Sequence, residues 1–142
     1  MRQMYRQLTR QMLEDWGISS ISWDADNNEW WIDRYWYKNN TGKKVHTRLA
    51  IVLAQSKRKY SQRFKSYKIV SWSYYCKQYC YPLARVIYAW FHDEVPEGYV
   101  VDHINNDPYD NRLANLQLLT QEDNLLKRYS DNPENWKNQY GK

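Results

Sequence analysis

Residues 98–128 read Gly98-Tyr99-Val100-Val101-Asp102-His103-Ile104-Asn105-Asn106-Asp107-Pro108-Tyr109-Asp110-Asn111-Arg112-Leu113-Ala114-Asn115-Leu116-Gln117-Leu118-Leu119-Thr120-Gln121-Glu122-Asp123-Asn124-Leu125-Leu126-Lys127-Arg128. Tyr99 to His103 reads as a short strand ending in two side chains able to bind a metal or move a proton. A polar loop rich in Asn and Asp follows, then a second short strand around Leu116 to Leu119. Thr120 is placed as a helix N-cap, with Glu122 and Asp123 in the first turn where they complement the helix dipole. Asn124 then falls on the first turn or two of that helix. A strand, loop, strand and helix packed together can bring Asp102, His103 and Asn124 into one small pocket.

Upstream, Pro82 stands where a helix can begin, and Leu83, Val86, Ile87 and Trp90 lay one apolar stripe along about ten residues. The run Asp93-Glu94-Val95-Pro96-Glu97-Gly98 breaks it. Ile69 to Tyr75 reads as a strand. Residues 18–53 read as a three-stranded meander, with turns at 24–28 and at Asn39-Asn40-Thr41-Gly42. In its middle strand Trp30, Ile32, Arg34 and Trp36 alternate with Trp31, Asp33, Tyr35 and Tyr37. Lys43 to Leu53 returns antiparallel, although periodicity alone does not exclude a helix for Leu49 to Gln55. Residues 1–16 carry the helical spacing Met1, Met4, Tyr5, Leu8, Met12 and Trp16, closed by Gly17.

Charge sorts the chain into three parts. Residues 34–92 hold 13 Lys and Arg and no Asp or Glu, whereas residues 1–33 hold 3 basic and 6 acidic residues and residues 93–142 hold 5 and 10. A basic middle of this length implies a polyanionic partner, with nucleic acid the first expectation. Lys57, Arg58, Lys59, Arg63, Lys65 and Lys68 interleave with Tyr60, Phe64 and Tyr67, which suits phosphate contacts and stacking on bases or sugars. The 8 Trp and 14 Tyr suit a binding surface, or equally a sheet held by aromatic cross-strand pairs. A mean hydropathy of −0.99, the lack of an apolar run near membrane length and the lack of a signal core lead to the expectation of a soluble, cytoplasmic protein that engages no membrane. Cys76 and Cys80 are too few for a disulfide scaffold, and read as idle thiols more readily than as zinc ligands with His46 and His92.

The stretch at 98–128 resembles the HNH nuclease family and its ββα-metal motif. Within that family it looks like the phage and intron-associated homing endonuclease branch, where an Asp-His pair precedes an Asn-Arg-Leu-x-Asn-Leu stretch and a closing Asn. The core of the resemblance covers residues 98–126, and its wider context covers about 80–128. It implies a C-terminal ββα-metal fold, which with the N-terminal helix and aromatic-rich antiparallel strands read above makes an α+β chain. The division is then 1–78 for DNA binding, on charge and aromatics alone, 79–130 for the nuclease and 131–142 as a polar tail.

Carried over residue by residue, His103 matches the general base and Asp102 before it a metal ligand. Asn115 matches the central Asn that ties the loop and holds the base in place. Asn124 stands where many members have a His, and would be the second protein ligand. One carboxylate and one amide oxygen favour Mg²⁺ or Mn²⁺ over Zn²⁺. A neutral imidazole can take the proton of the attacking water while the cation stabilises the phosphoryl and leaving oxygens. The implied activity is hydrolysis of double-stranded DNA to 5′-phosphate and 3′-hydroxyl ends in a phage or bacterial host cell. A monomer would nick; a homodimer would cut both strands. Arg112 is a further phosphate-contact candidate, or a partner for a nearby carboxylate. The rival reading is a non-catalytic DNA-binding protein that keeps the ββα shape.

Overall fold

Leu8 and Val95 are fully buried and oppose each other across a two-residue antiparallel pair, β1 (Leu8–Thr9) with β8 (Glu94–Val95). This pair governs how the chain enters the fold in the computed structural model, which describes residues 6–54 and 67–131. Thr9 then caps a helix. Its Oγ1 accepts from the Met12 amide at 3.0 Å, so α1 runs only from Arg10 to Asp15. The helix expected over residues 1–16 is shortened among the described residues, because continuing it backwards would turn Leu8 away from Val95. Met1, Met4 and Tyr5 lie outside the described residues. Gly17 follows at φ +100°, where a Cβ would stand 2.2 Å from the Tyr35 carbonyl oxygen.

The first sheet is the meander β2 (Ile18–Asp24), β3 (Glu29–Tyr37) and β4 (Lys44–Arg48). The Asp24 carboxylate shapes its first turn, accepting from the amides of Asp26 and Asn27 at 3.1 and 3.3 Å. Trp30, Ile32 and Arg34 turn inward, as the alternation implies, while Trp36 at the strand's end is exposed. The return strand expected over 43–53 divides in two. The Leu49 amide still bonds the Ile32 carbonyl at 2.8 Å, but β5 (Ile51–Leu53) crosses to a second sheet. There it pairs with β6 (Lys68–Tyr74), which pairs in turn with β7 (Lys77–Pro82). Leu49 packs on the core, and that anchor makes it the pivot. The hairpin to β7 turns on Tyr75 and Cys76, both at positive φ (48° and 63°), the backbone that a type I′ turn requires.

Arg34 fastens the two sheets together. It is 6% exposed, and donates to the carbonyls of Trp16 at 2.7 Å and Ser73 at 2.8 Å. Beside it Trp16 packs on Tyr79 at 4.5 Å and on Trp72 at 5.6 Å, so these aromatics serve the core. α2 (Leu83–His92) buries Leu83, Val86, Ile87, Ala89 and Trp90 and packs on α1, β1, β8 and the second sheet, each large side chain contributing about 1.5–3 kcal/mol. Arg85 on this helix is also buried and donates to the carbonyls of Tyr99 (2.8 Å) and Arg6. Burial holds its guanidinium down to about 10, still charged at neutral pH. Two of the cations in the basic middle are therefore internal fasteners. The fold is α+β with antiparallel sheets, and no helix among the described residues is long and apolar enough to cross a membrane.

Candidate active site

Two strands and a helix follow β8. β9 (Tyr99–His103) pairs antiparallel with β10 (Leu116–Thr120), setting His103 opposite Leu116 and Asp102 opposite Gln117. α3 (Gln121–Asp131) starts where the Thr120 hydroxyl accepts from the Asp123 amide at 3.1 Å, and packs on both strands. The loop between the strands is closed by side-chain amides. Asn115, 9% exposed, accepts from the Asn105 amide at 3.1 Å and donates to the Asn105 side chain (2.9 Å) and the Asp110 carbonyl (2.8 Å). A short 3₁₀ turn over Leu113–Asn115 delivers that side chain into the loop.

The imidazole of His103 is held at one nitrogen. Its Nε2 lies 2.8 Å from the Asn111 amide oxygen, while the Asn111 amide nitrogen faces the Pro108 carbonyl at 3.5 Å. An amide oxygen only accepts, so in the neutral ring Nε2 carries the hydrogen and Nδ1 keeps its lone pair for another proton. Asn111 is 5% exposed, and its own carbonyl accepts from the Trp30 indole at 2.9 Å. Trp30 belongs to β3 and packs its ring on Phe91 of α2. The first sheet therefore touches the group that sets the histidine ring.

Asp102 is screened from water, its side chain 13% exposed. Its Oδ2 accepts from Gln117 at 2.8 Å and pairs with the Lys127 ammonium at 3.1 Å. The same ammonium donates to the His103 carbonyl at 3.2 Å and to the Asn106 side-chain oxygen. Three oxygens thus converge on one cation. Asn124 sits one turn earlier on α3 and lines a shallow pocket with Val100, Leu125 and Arg128. At the junction of β9 and α3, Lys127 reaches Asp102, and Asn124 lines its pocket beside Val100, two residues before Asp102 on the same face of β9.

Around this junction the other candidates separate. Arg112 forms a bidentate pair with Asp110 at 2.8 and 2.9 Å, though its side chain stays 63% exposed. The Arg112 hydrogen bonds hold the Asp110 carboxyl down to about 2, from an ordinary 3.8. A carboxyl held down in this way stabilises the fold above its unfolded pKa and stops doing so as pH falls towards 2. Acid titration followed by circular dichroism is therefore expected to show a loss between about pH 4 and 2 that Asp110→Asn diminishes. An open cleft of about 820 Å³ lies between the first sheet and the loop, walled by Trp30, Trp31, Arg48, Lys68, Tyr109 and Arg112. Lys57, Arg58, Lys59, Arg63 and Lys65 lie outside the described residues.

Cys76 is exposed and Cys80 half-buried, both as free thiols. His46 bonds Asp33 at 3.1 Å, and His92 packs on Tyr88. Among the described residues no three His, Cys, Asp or Glu side chains gather as a metal cluster, so the reading of the cysteines as zinc ligands gains no support.

Residues 81–126 match the HNH endonuclease family. The HNH segment runs from Tyr81 at the end of β7 into α3, and includes Asp102, His103, Asn111, Asn115 and Asn124. Lys127 follows its last residue. No curated protein and no solved structure matches the chain. Sequence reasoning missed Asn111, Gln117, Lys127 and Trp30 as neighbours of the site. Gln117 was within reach, since pairing His103 with Leu116 puts it opposite Asp102, and Lys127 lies three residues after Asn124 on one helix face. Nothing local in the sequence points Trp30 at Asn111.

Proposed function

We propose that this chain is a metal-dependent DNA endonuclease of the phage and intron-associated homing type, nicking double-stranded DNA as a monomer to 5′-phosphate and 3′-hydroxyl ends. One observation carries the reading. Within the HNH segment, His103 is held at Nε2 by a buried amide oxygen, directly after a carboxylate that already gathers a cation. The oxygens around the Lys127 ammonium fit a positive ion, and with Asn124 at the same junction the donors are all oxygen, which suits Mg²⁺ or Mn²⁺. One carboxylate and one amide leave most of a hexacoordinate shell to water and substrate phosphate, the usual arrangement for Mg²⁺. A divalent ion bound there supplies positive charge to the phosphoryl and leaving 3′ oxygens.

The protein's own groups do the rest. Asp102 and Asn124 would hold the ion. His103, whose neutral form keeps its lone pair on Nδ1, accepts the proton of the attacking water. Asn111 keeps the ring from turning, and Asn115 keeps the loop that carries Asn111 closed against β9. The region 1–78 supplies the duplex surface, with Lys57, Arg58, Lys59, Arg63, Lys65 and Lys68 on phosphates and Arg112 at the edge of the loop. Two copies would be needed to cut both strands.

The ion pair between Lys127 and Asp102 favours a second reading, a DNA-binding protein in which an ammonium has taken the metal's place for good. Cleavage decides between them. Supercoiled plasmid incubated with the chain is expected to be nicked in Mg²⁺ or Mn²⁺, to stay intact in EDTA, and to be resealed by DNA ligase, which requires 5′-phosphate beside 3′-hydroxyl. Intact plasmid under every metal, with binding that weakens steeply with salt, would leave the second reading standing.

A further inference from the structure

The ion pair between Asp102 and Lys127, the residue just after the HNH segment, is the one that a catalytic cation would have to break. Lys127 and Asp102 are 21% and 13% exposed at their side chains; the carboxylate of the Arg112–Asp110 pair is as shielded at 14%, but its cation is 63% exposed. The ammonium does not merely lie near the carboxylate. It is held by three oxygens from three places: the Asp102 side chain, the His103 main chain and the Asn106 side chain at the start of the loop. Asn106 sits at φ 63°, in a turn closed by its own amide on the His103 carbonyl at 3.0 Å, so its position is tied to the strand end. Lysine is a compact point charge on a flexible stem, and can therefore leave such a cradle without unfolding the helix that carries it.

We propose that Lys127 is a built-in competitor for the divalent ion: its ammonium closes on Asp102 when the site is free of metal and is displaced when metal binds. This rests on the metal-dependent reading above. The competition is a matter of populations. A site available only in the fraction of molecules with Lys127 swung away binds metal more weakly by that fraction. The device keeps the Asp102 carboxylate neutralised without metal, and reserves loading for conditions in which substrate phosphate adds its own oxygens to the ion.

Binding of Mn²⁺ to the full chain without DNA, read as loss of the free-ion electron paramagnetic resonance signal, tests this directly. Lys127→Met keeps the stem and removes the charge, and is expected to bind Mn²⁺ about tenfold more tightly than the wild type, as for a competitor closed about nine-tenths of the time. Lys127→Arg keeps the charge and is expected to stay within about threefold of the wild type. Asp102→Ala is expected to lose the binding in both backgrounds. Should Lys127→Met perturb the melting curve, Lys127→Gln serves in its place. Equal or weaker binding by the uncharged variants, with wild-type binding still abolished by Asp102→Ala, overturns the competitor and leaves the metal site intact. Mn²⁺ binding that ignores Asp102 altogether overturns both.

Discussion

His103→Ala is expected to lower the rate of plasmid nicking by about 10²- to 10⁴-fold, the range that a positioned general base contributes, and to leave DNA affinity within about twofold. The size follows from the geometry at the ring. Nε2 is committed to Asn111, so the proton of the attacking water has one nitrogen to go to, Nδ1. Alanine removes that acceptor without touching the Asn115 bonds that close the loop, and the fold should persist. Added imidazole is expected to restore part of the lost rate, because a small base can enter the space the ring has left. Lost activity with lost DNA binding would point to damage of the surface instead.

The second large effect is expected at Asn111. Asn111→Ala leaves its main-chain carbonyl, and so the Trp30 contact, in place, but frees the His103 ring to rotate. Hydrogen-bond partners that orient a functional histidine are commonly worth about 10- to 100-fold, and the loss should fall on kcat and not on KM for DNA. Asn111→Asp restores an acceptor oxygen at the same place and is expected to recover most of the rate. A purely structural Asn111 would give a different pattern, with both variants losing stability and activity together.

How much of this could be read beforehand depends on how local each cause is. β9, β10 and the Thr120 cap were legible because alternation, polar loop and cap follow one another within 25 residues. α2 was legible because Pro82 and an apolar stripe both mark it. The meander was legible up to Arg48. Beyond that the chain changes sheets at Leu49, a choice fixed by packing on the core and not by any turn residue. The β7 hairpin was hidden because Tyr75 and Cys76 adopt positive φ without the Asn or Gly that normally announces it. The first helix was read too long because the burial of Leu8 against Val95 involves residues 87 positions apart.

The site divides in the same way. Asp102, His103, Asn115 and Asn124 come from a motif that lies along the chain. The atom that sets the His103 ring and the cation that sits on Asp102 come from loop closure and helix docking. Charge also misled in part. Arg34 and Arg85 count towards a basic surface in the sequence, yet both are buried fasteners in the fold.

Cleavage of DNA with His103 as base and a divalent ion at Asp102 is the proposed activity. It is tested most directly by nicking of supercoiled plasmid in Mg²⁺ and in EDTA, wild type beside His103→Ala, with binding to the same DNA measured in parallel. The expected result is nicking by the wild type in Mg²⁺ alone, with equal binding by both proteins. Equal nicking by both, or nicking that survives EDTA, would contradict it.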